Sequence, residues 1–167
     1  MASRYQANIQ TIEKSWGEAF SLAEIETAIA KYQPSVLAMV HAETSTGVKS
    51  DPKELVDLAH KYDCLTICDT VTGLAGIPLK VDKWNIDAVY SGTQKCLSAA
   101  PGLSPITFNK ACEEKIKNRK EKVQSWFLDL NLIMSYWDGD GARAYHHTAP
   151  INNLYGLHEA LVILSEE

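Results

Sequence analysis

The stretch CLTICDTVTG, residues 64 to 73, decides the architecture. A short run of apolar and β-branched residues, Cys64 to Cys68, meets a carboxylate, Asp69, and a glycine follows at position 73. A continuous run of this length, without polar alternation, predicts a strand buried on both faces. Working outward, SVLAMVHAE (Ser35 to Glu43) reads the same way, and Ala88 to Tyr90 and Ile106 to Phe108 supply two shorter strands. Helical segments fall between and around them. SLAEIETAIAKYQP opens with Ser21 and Glu24 in capping-box spacing, repeats Leu22, Ile25 and Ile29, and stops at Pro34. DPKELVDLAHKY offers Asp51 as N-cap, Pro52 at the first helical position, and Leu55, Leu58 and Ala59 on one face. A Lys/Glu-rich helix is expected from about Lys110. FLDLNLIMSYW is expected to be helical, and INNLYGLHEALVILSEE sets Ile151, Leu154, Leu157 or His158, and Leu161 on one face.

Strand, loop, helix, strand is α/β order, and it predicts a mostly parallel sheet flanked by helices. Ligands of such sheets lie beyond the carboxyl ends of the strands. Thr44, Asp69 and the Ser91–Lys95 group occupy those ends and are expected to converge on one crevice.

Composition narrows the function. The 167 residues suffice for one domain, and with 46% apolar and 22% charged residues this is an ordinary globular chain. A net charge of −5 argues against a nucleic-acid platform or an anionic membrane surface. The one dense basic run, KIKNRKEK (Lys115 to Lys122), reads as the solvated face of a helix. Cys64, Cys68, Cys96 and Cys112 form no CxxC pair and no zinc spacing, so no metal site is expected. Cys64 and Cys68 read as small buried hydrophobes of a reducing, intracellular compartment.

The chemistry concentrates in DAVYSGTQKCLSAAPGLSPITFN, residues 87 to 109. Lys95 follows a strand almost at once and is wrapped in small residues: Ser91, Gly92, Ser98, Ala99 and Ala100. Alone, it could simply reach solvent; desolvated, it would be a nucleophilic amine. Asp69 alone could be a cap or a loop anchor; it could equally hold a protonated ring nitrogen, since a buried carboxylate needs a partner. Taken together, a lysine for an aldehyde and an aspartate for a pyridine nitrogen are the two polar partners that pyridoxal phosphate requires. The small residues leave room for a flat ring.

The segment DTVTGLAGIPLKVDKWNIDAVYSGTQKCLSAAPGLSPITFN resembles the class V, fold-type I aminotransferases, in their alanine–glyoxylate (serine–pyruvate) branch with its insect 3-hydroxykynurenine transaminase relatives. HAETSTGV (His41 to Val48), YWDGD (Tyr136 to Asp140) and YHHT (Tyr145 to Thr148) agree. The resemblance implies that residues 1–167 are the central part of the large, cofactor-binding domain, with the family's N-terminal part and C-terminal small domain outside the chain. It implies Lys95 as the Schiff-base lysine and proton shuttle, Asp69 as the pyridinium partner, and Val71 against the ring face. Thr44 would take the place of a hydroxyl, commonly a serine, near the ring, and Gln94 would donate to the cofactor phosphate. Tyr145 and Thr148 would reach across a homodimer to the neighbouring subunit's phosphate, giving composite active sites. Read without the resemblance, His146 and His147 would be a surface pair or a weak metal site, and Trp126, Tyr136 and Trp137 core or interface aromatics.

The implied reaction is transamination between a small amino acid, alanine or serine, and a keto acid such as glyoxylate or pyruvate, the segment being inactive alone. A 3-hydroxykynurenine transaminase and a class V lyase are the alternatives that keep pyridoxal phosphate. A non-enzymatic module with Asp69 and Lys95 as a structural ion pair is the alternative without it. The resemblance also sets the expectation of a peroxisomal location, with mitochondrion or cytosol as alternatives.

Overall fold

The structure is a computed structural model that describes residues 3, 7–138 and 144–166. Gly139 and Asp140 of the YWDGD stretch lie outside the described residues. In chain order the elements are α1 (Leu22–Tyr32), β1 (Val36–Val40), α2 (Pro52–His60), β2 (Leu65–Asp69), β3 (Ala88–Tyr90), β4 (Ile106–Phe108), α3 (Lys110–Lys117), α4 (Leu130–Asp138) and α5 (Ile151–Glu166). They fall in two compact units, one of Gln10–Asn109 with Pro150–Glu167, the other of Met1–Ile9 with Lys110–Ala149.

The first unit holds a four-stranded sheet in the order β1-β2-β3-β4. β1, β2 and β3 run parallel, and β4 returns antiparallel to β3. The expected capping signals are all used. Ser21 Oγ accepts from Glu24 N at 3.3 Å while the Glu24 carboxylate accepts from Ser21 N at 2.9 Å. Asp51 Oδ1 accepts from Lys53 N at 3.0 Å with Pro52 beside it. Each arrangement satisfies N–H groups that the first helical turn leaves without a partner. Gln33 turns left-handed (φ 45°) just before Pro34, which ends α1.

The register decides what is covered. Leu37, Met39, Cys68 and Val89 lie on one side of the sheet. There, Val56, Cys68, Ile86 and Val89 pack with Met39, Leu79, Val81 and Trp84. Ile25, Ile29 and Leu58 pack with Ile12, Leu37 and Leu55. Val36, Val40, Tyr90 and Ile106 point to the other side and are exposed. The two-faced burial expected of β1 and β2 therefore holds for one face only, because the core clusters lie on the side of α1 and α2. Cys64 and Cys68 are buried, as expected of small hydrophobes.

At the amino end of β3, Asp87 (3% exposed) joins the strands from below. Its Oδ2 accepts from Thr66 N (2.8 Å), Thr66 Oγ1 (2.7 Å) and His60 Nε2 (2.8 Å), and its Oδ1 from Asn109 Nδ2 (2.7 Å). Burial alone would raise this carboxyl's pKa; the four donors outweigh it and hold the group below its ordinary value.

In the second unit α3 ends at Lys117. The basic run is solvated, as expected, but Asn118 to Lys122 are not helical. Among the described residues no helix is long and apolar enough to cross a membrane.

Candidate active site

Asp69 closes β2 and sits directly across from Tyr90 of β3 in the parallel register. Parallel neighbours in register project to the same face, so the two side chains meet. Tyr90 Oη donates to Asp69 Oδ2 at 2.6 Å, and Val71 N donates to Oδ1 at 2.9 Å. Burial first, then the bond to Asp69, pushes the Tyr90 phenol up to about 12. The segment after Asp69 turns at once: Gly73 N and Leu74 N both donate to Thr70 O, at 3.1 and 2.9 Å. Asp69 thus anchors a turn and keeps acceptor capacity besides. An ionised carboxylate has about four acceptor directions, of which two are used here.

Lys95 lies on the loop between β3 and β4. Ser91 N donates to Pro105 O at 2.9 Å and shuts the loop at its base. Within it, Ala99 N donates to Thr93 O (2.9 Å), Thr93 Oγ1 to Ala100 O (2.6 Å), and Ser98 N to Lys95 O (2.9 Å). Gly92 is buried, and a Cβ built there would stand 2.8 Å from Gln94 Oε1 and 3.5 Å from Val71 Cγ1. The glycine is what lets Val71 and Gln94 approach the same point. Lys95 itself is exposed, and no described residue pairs with its ammonium. The structural Asp69–Lys95 ion pair is therefore absent among the described residues.

Thr44, beyond β1, hydrogen-bonds through Oγ1 to Thr72 Oγ1. Cys96 Sγ donates to Thr72 O at 3.2 Å. Thr72 thus ties the loop after β1 to the loop after β3, and the expected convergence of Thr44, Asp69 and the Lys95 loop is what the first unit displays. Cys96 Sγ is also only 2.5 Å from where a Cβ on Gly76 would lie. Gly76→Ala is expected to force the thiol off Thr72 and to destabilise by about 1–3 kcal/mol, the usual range for overpacking. Removing the thiol in Gly76→Ala/Cys96→Ala should recover much of that loss in a thermal melt, whereas an unchanged deficit would place the strain elsewhere.

His41 continues β1 beside this crevice, its N donating to Asp69 O at 2.9 Å. It is buried, and its Nδ1 has no hydrogen-bond partner. A Cβ on Gly73 would fall 2.8 Å from that nitrogen. Burial, and then Lys49, lower the imidazole pKa against a smaller opposite pull from Asp51.

Tyr145 and Thr148 belong to the second unit, where their hydroxyls bond at 2.5 Å and Tyr136 meets Tyr145 edge-on at 6.0 Å between ring centroids. His146 is buried and stacks on Trp126 at 4.2 Å. Its Nε2 lies 3.0 Å from Trp126 O, and its Nδ1 2.7 Å from His147 Nδ1. A carbonyl only accepts, so Nε2 donates to it, and the two Nδ1 atoms share one proton between them. Both of its nitrogens are thereby committed to packing the loop. Exposed Trp126 and Trp137 are surface aromatics of this unit, not core.

Tyr90, Thr72 and Cys96 join the site through contacts that the sequence does not display. Tyr90 was legible in principle, since parallel pairing of two strands ending in Asp69 and Tyr90 sets them side by side. Thr72 and Cys96 act through a backbone carbonyl and a loop contact, which have no sequence signal.

The sequence matches the family described as Aminotransferase class-V over residues 1–167. The chain belongs to the class-V aminotransferases. It is 38% identical to the alanine–glyoxylate aminotransferase of Rattus norvegicus over 168 residues, covering 100% of this chain and 41% of that protein. The solved alanine–glyoxylate aminotransferase of Nostoc sp. superposes with a TM-score of 0.92 at 46% identity, over 99% of this chain and 44% of that one. The ureidoglycine–glyoxylate aminotransferase of Bacillus subtilis gives 0.93 at 39% identity, over 99% and 42%. The chain therefore spans about two fifths of the length of its relatives, and its α/β sheet is that of the fold-type I enzymes.

Proposed function

We propose that this class-V aminotransferase segment, residues 1–167, is part of a large cofactor-binding domain and carries the lysine and aspartate of a pyridoxal-phosphate site. The observation that carries the reading is an exposed Lys95, unpartnered among the described residues, on the loop after β3, together with a carboxylate, Asp69, held at the end of the adjoining parallel strand. Pyridoxal phosphate supplies an aldehyde that an amine can condense with and a ring that, when protonated, accepts an electron pair from substrate Cα. The residues fit it. Asp69 has acceptor directions left for a ring N–H. Gly92 leaves a cradle between Val71 and Gln94 that a Cβ would fill. Thr44 brings a hydroxyl to the same strand ends.

In this reading Lys95 Nζ would hold the cofactor and, as a free amine, would take the proton from substrate Cα and return it. Asp69 keeps the ring nitrogen protonated. Val71 would lie against the ring, Gln94 would donate to the phosphate, and the Tyr145 and Thr148 hydroxyls would serve the phosphate of the neighbouring subunit in a homodimer. The shared word in the relatives' names, glyoxylate, supports a small keto acid as amino acceptor, with alanine or serine as donor. The peroxisome is the compartment we assign by the same likeness. Cys96 is bonded to Thr72 O and Cys112 lies in α3, an arrangement that supports transamination over lyase chemistry needing a mobile thiol.

The test is reductive trapping. The whole protein is incubated with pyridoxal phosphate, reduced with borohydride and mapped by peptide mass. The expected result is a yellow protein labelled at Lys95. A folded protein that takes no label at Lys95 would sink the proposal. Donor screens with alanine, serine and 3-hydroxykynurenine then separate the specificities.

A further inference from the structure

Asp69 does not stand alone at the end of β2. Its two oxygens are held from two directions, by a main-chain N–H that cannot leave (Val71 N, 2.9 Å) and by a side-chain hydroxyl that substitution can remove (Tyr90 Oη, 2.6 Å). Two donors on different oxygens fix the plane of a carboxylate, whereas one leaves it free to rotate. The Tyr90 contact is built by the sheet, since Asp69 and Tyr90 are register partners at the ends of parallel β2 and β3. The same end of β3 is itself locked: Thr70 N and Thr70 Oγ1 both donate to Tyr90 O at 2.9 Å, and Ser91 Oγ donates to Thr70 O at 3.1 Å. The phenol is therefore delivered to the carboxylate by a backbone that has little freedom to withdraw it.

We infer that Tyr90 is a positioning residue of the cofactor site, which aims the Asp69 carboxylate by donating to Oδ2 and so sets how firmly Asp69 holds a ring N–H. This rests on the pyridoxal-phosphate reading and goes beyond it in naming a residue whose contact is with Asp69. Tyr90 acts only through Asp69. A carboxylate that must find its orientation on binding gives part of its hydrogen-bond energy back as lost freedom, and Tyr90 removes that loss in advance.

The experiment is a double-mutant cycle on the whole protein with pyridoxal phosphate as the probe, read as the dissociation constant from the yellow absorbance of the loaded protein. Tyr90→Phe removes one oxygen and keeps the ring. It is expected to raise the dissociation constant about tenfold, the range for a hydrogen bond to a charged group. In an Asp69→Asn background the same change should raise it by no more than about twofold, because the two residues act as one unit. A second measurement needs no cofactor and leaves Tyr90 in place: Asp69→Asn should lower the pH at which one phenol ionises, followed by ultraviolet absorbance, part of the way towards the ordinary tyrosine range. A merely structural tyrosine would show equal effects in both backgrounds and a melting temperature that falls with them. Lys95 labelled in the parent, with Tyr90→Phe binding unchanged, would overturn the inference and leave the proposed function standing. A parent that takes neither colour nor label would overturn both.

Discussion

Lys95→Ala is expected to abolish borohydride labelling and to lower transamination by on the order of 10²–10⁴-fold from the proton transfer alone. The physical ground is the solitude of the side chain: its ammonium has no partner among the described residues, so the substitution breaks no ion pair and opens no buried cavity. The loop around it is closed by main-chain bonds and by Thr93 Oγ1, none of which involves the lysine side chain. The variant should therefore melt at the parent temperature while losing its chemistry, and small primary amines should restore part of the proton transfer. Lys95→Arg should fail as fully, since a guanidinium keeps its charge and cannot condense with an aldehyde. An alanine variant that still turns over at the parental rate would remove Lys95 from the mechanism.

Asp87→Ala is expected to destabilise the first unit by about 3–5 kcal/mol, the range for removing one partner from a buried charged network. Four donors converge on this carboxylate, from Thr66 N, Thr66 Oγ1, His60 Nε2 and Asn109 Nδ2, and alanine would leave the buried ones without an acceptor. Asp87→Asn preserves the shape and one oxygen, and should lose about 1–3 kcal/mol. The pH dependence has a definite sign. Because the folded protein holds this carboxyl below its ordinary value, its contribution is complete above the ordinary carboxylate range and disappears as pH falls through and below it. Urea denaturation should therefore show the parent losing stability in acid along a steeper limb than Asp87→Asn. Equal slopes would mean that other carboxylates dominate acid unfolding.

The fold was legible wherever local chemistry and tertiary packing agree. Ser21 with Glu24, and Asp51 with Pro52, are capping devices that work within one helical turn, so the sequence alone contains both partners. Ala88–Tyr90 and Ile106–Phe108 were legible as strands because small and turn-forming residues bound them. The antiparallel sense of β4 was not, since three residues carry no direction. Burial on both faces was inferred for β1 and β2 from apolar content, but apolar content states what a face needs and not what covers it. At the site, Asp69 and Lys95 stood out because charge beside a buried strand is unusual. Tyr90 and Thr72 did not, because a tyrosine ending a strand and a threonine in a turn are ordinary until the sheet register says what faces them.

The return of β4 beside β3 has a consequence for how this region assembles. Tyr90 and Ile106 are nearer along the chain than either pair of strands joined by the parallel crossovers. Closing that loop sacrifices the least chain entropy of any pairing in the sheet. Contacts of short sequence separation form fastest, so the Lys95 loop is expected to close at least as early as β2 docks. Lys95 would then be set in its loop by the time the Asp69 carboxylate has arrived beside it.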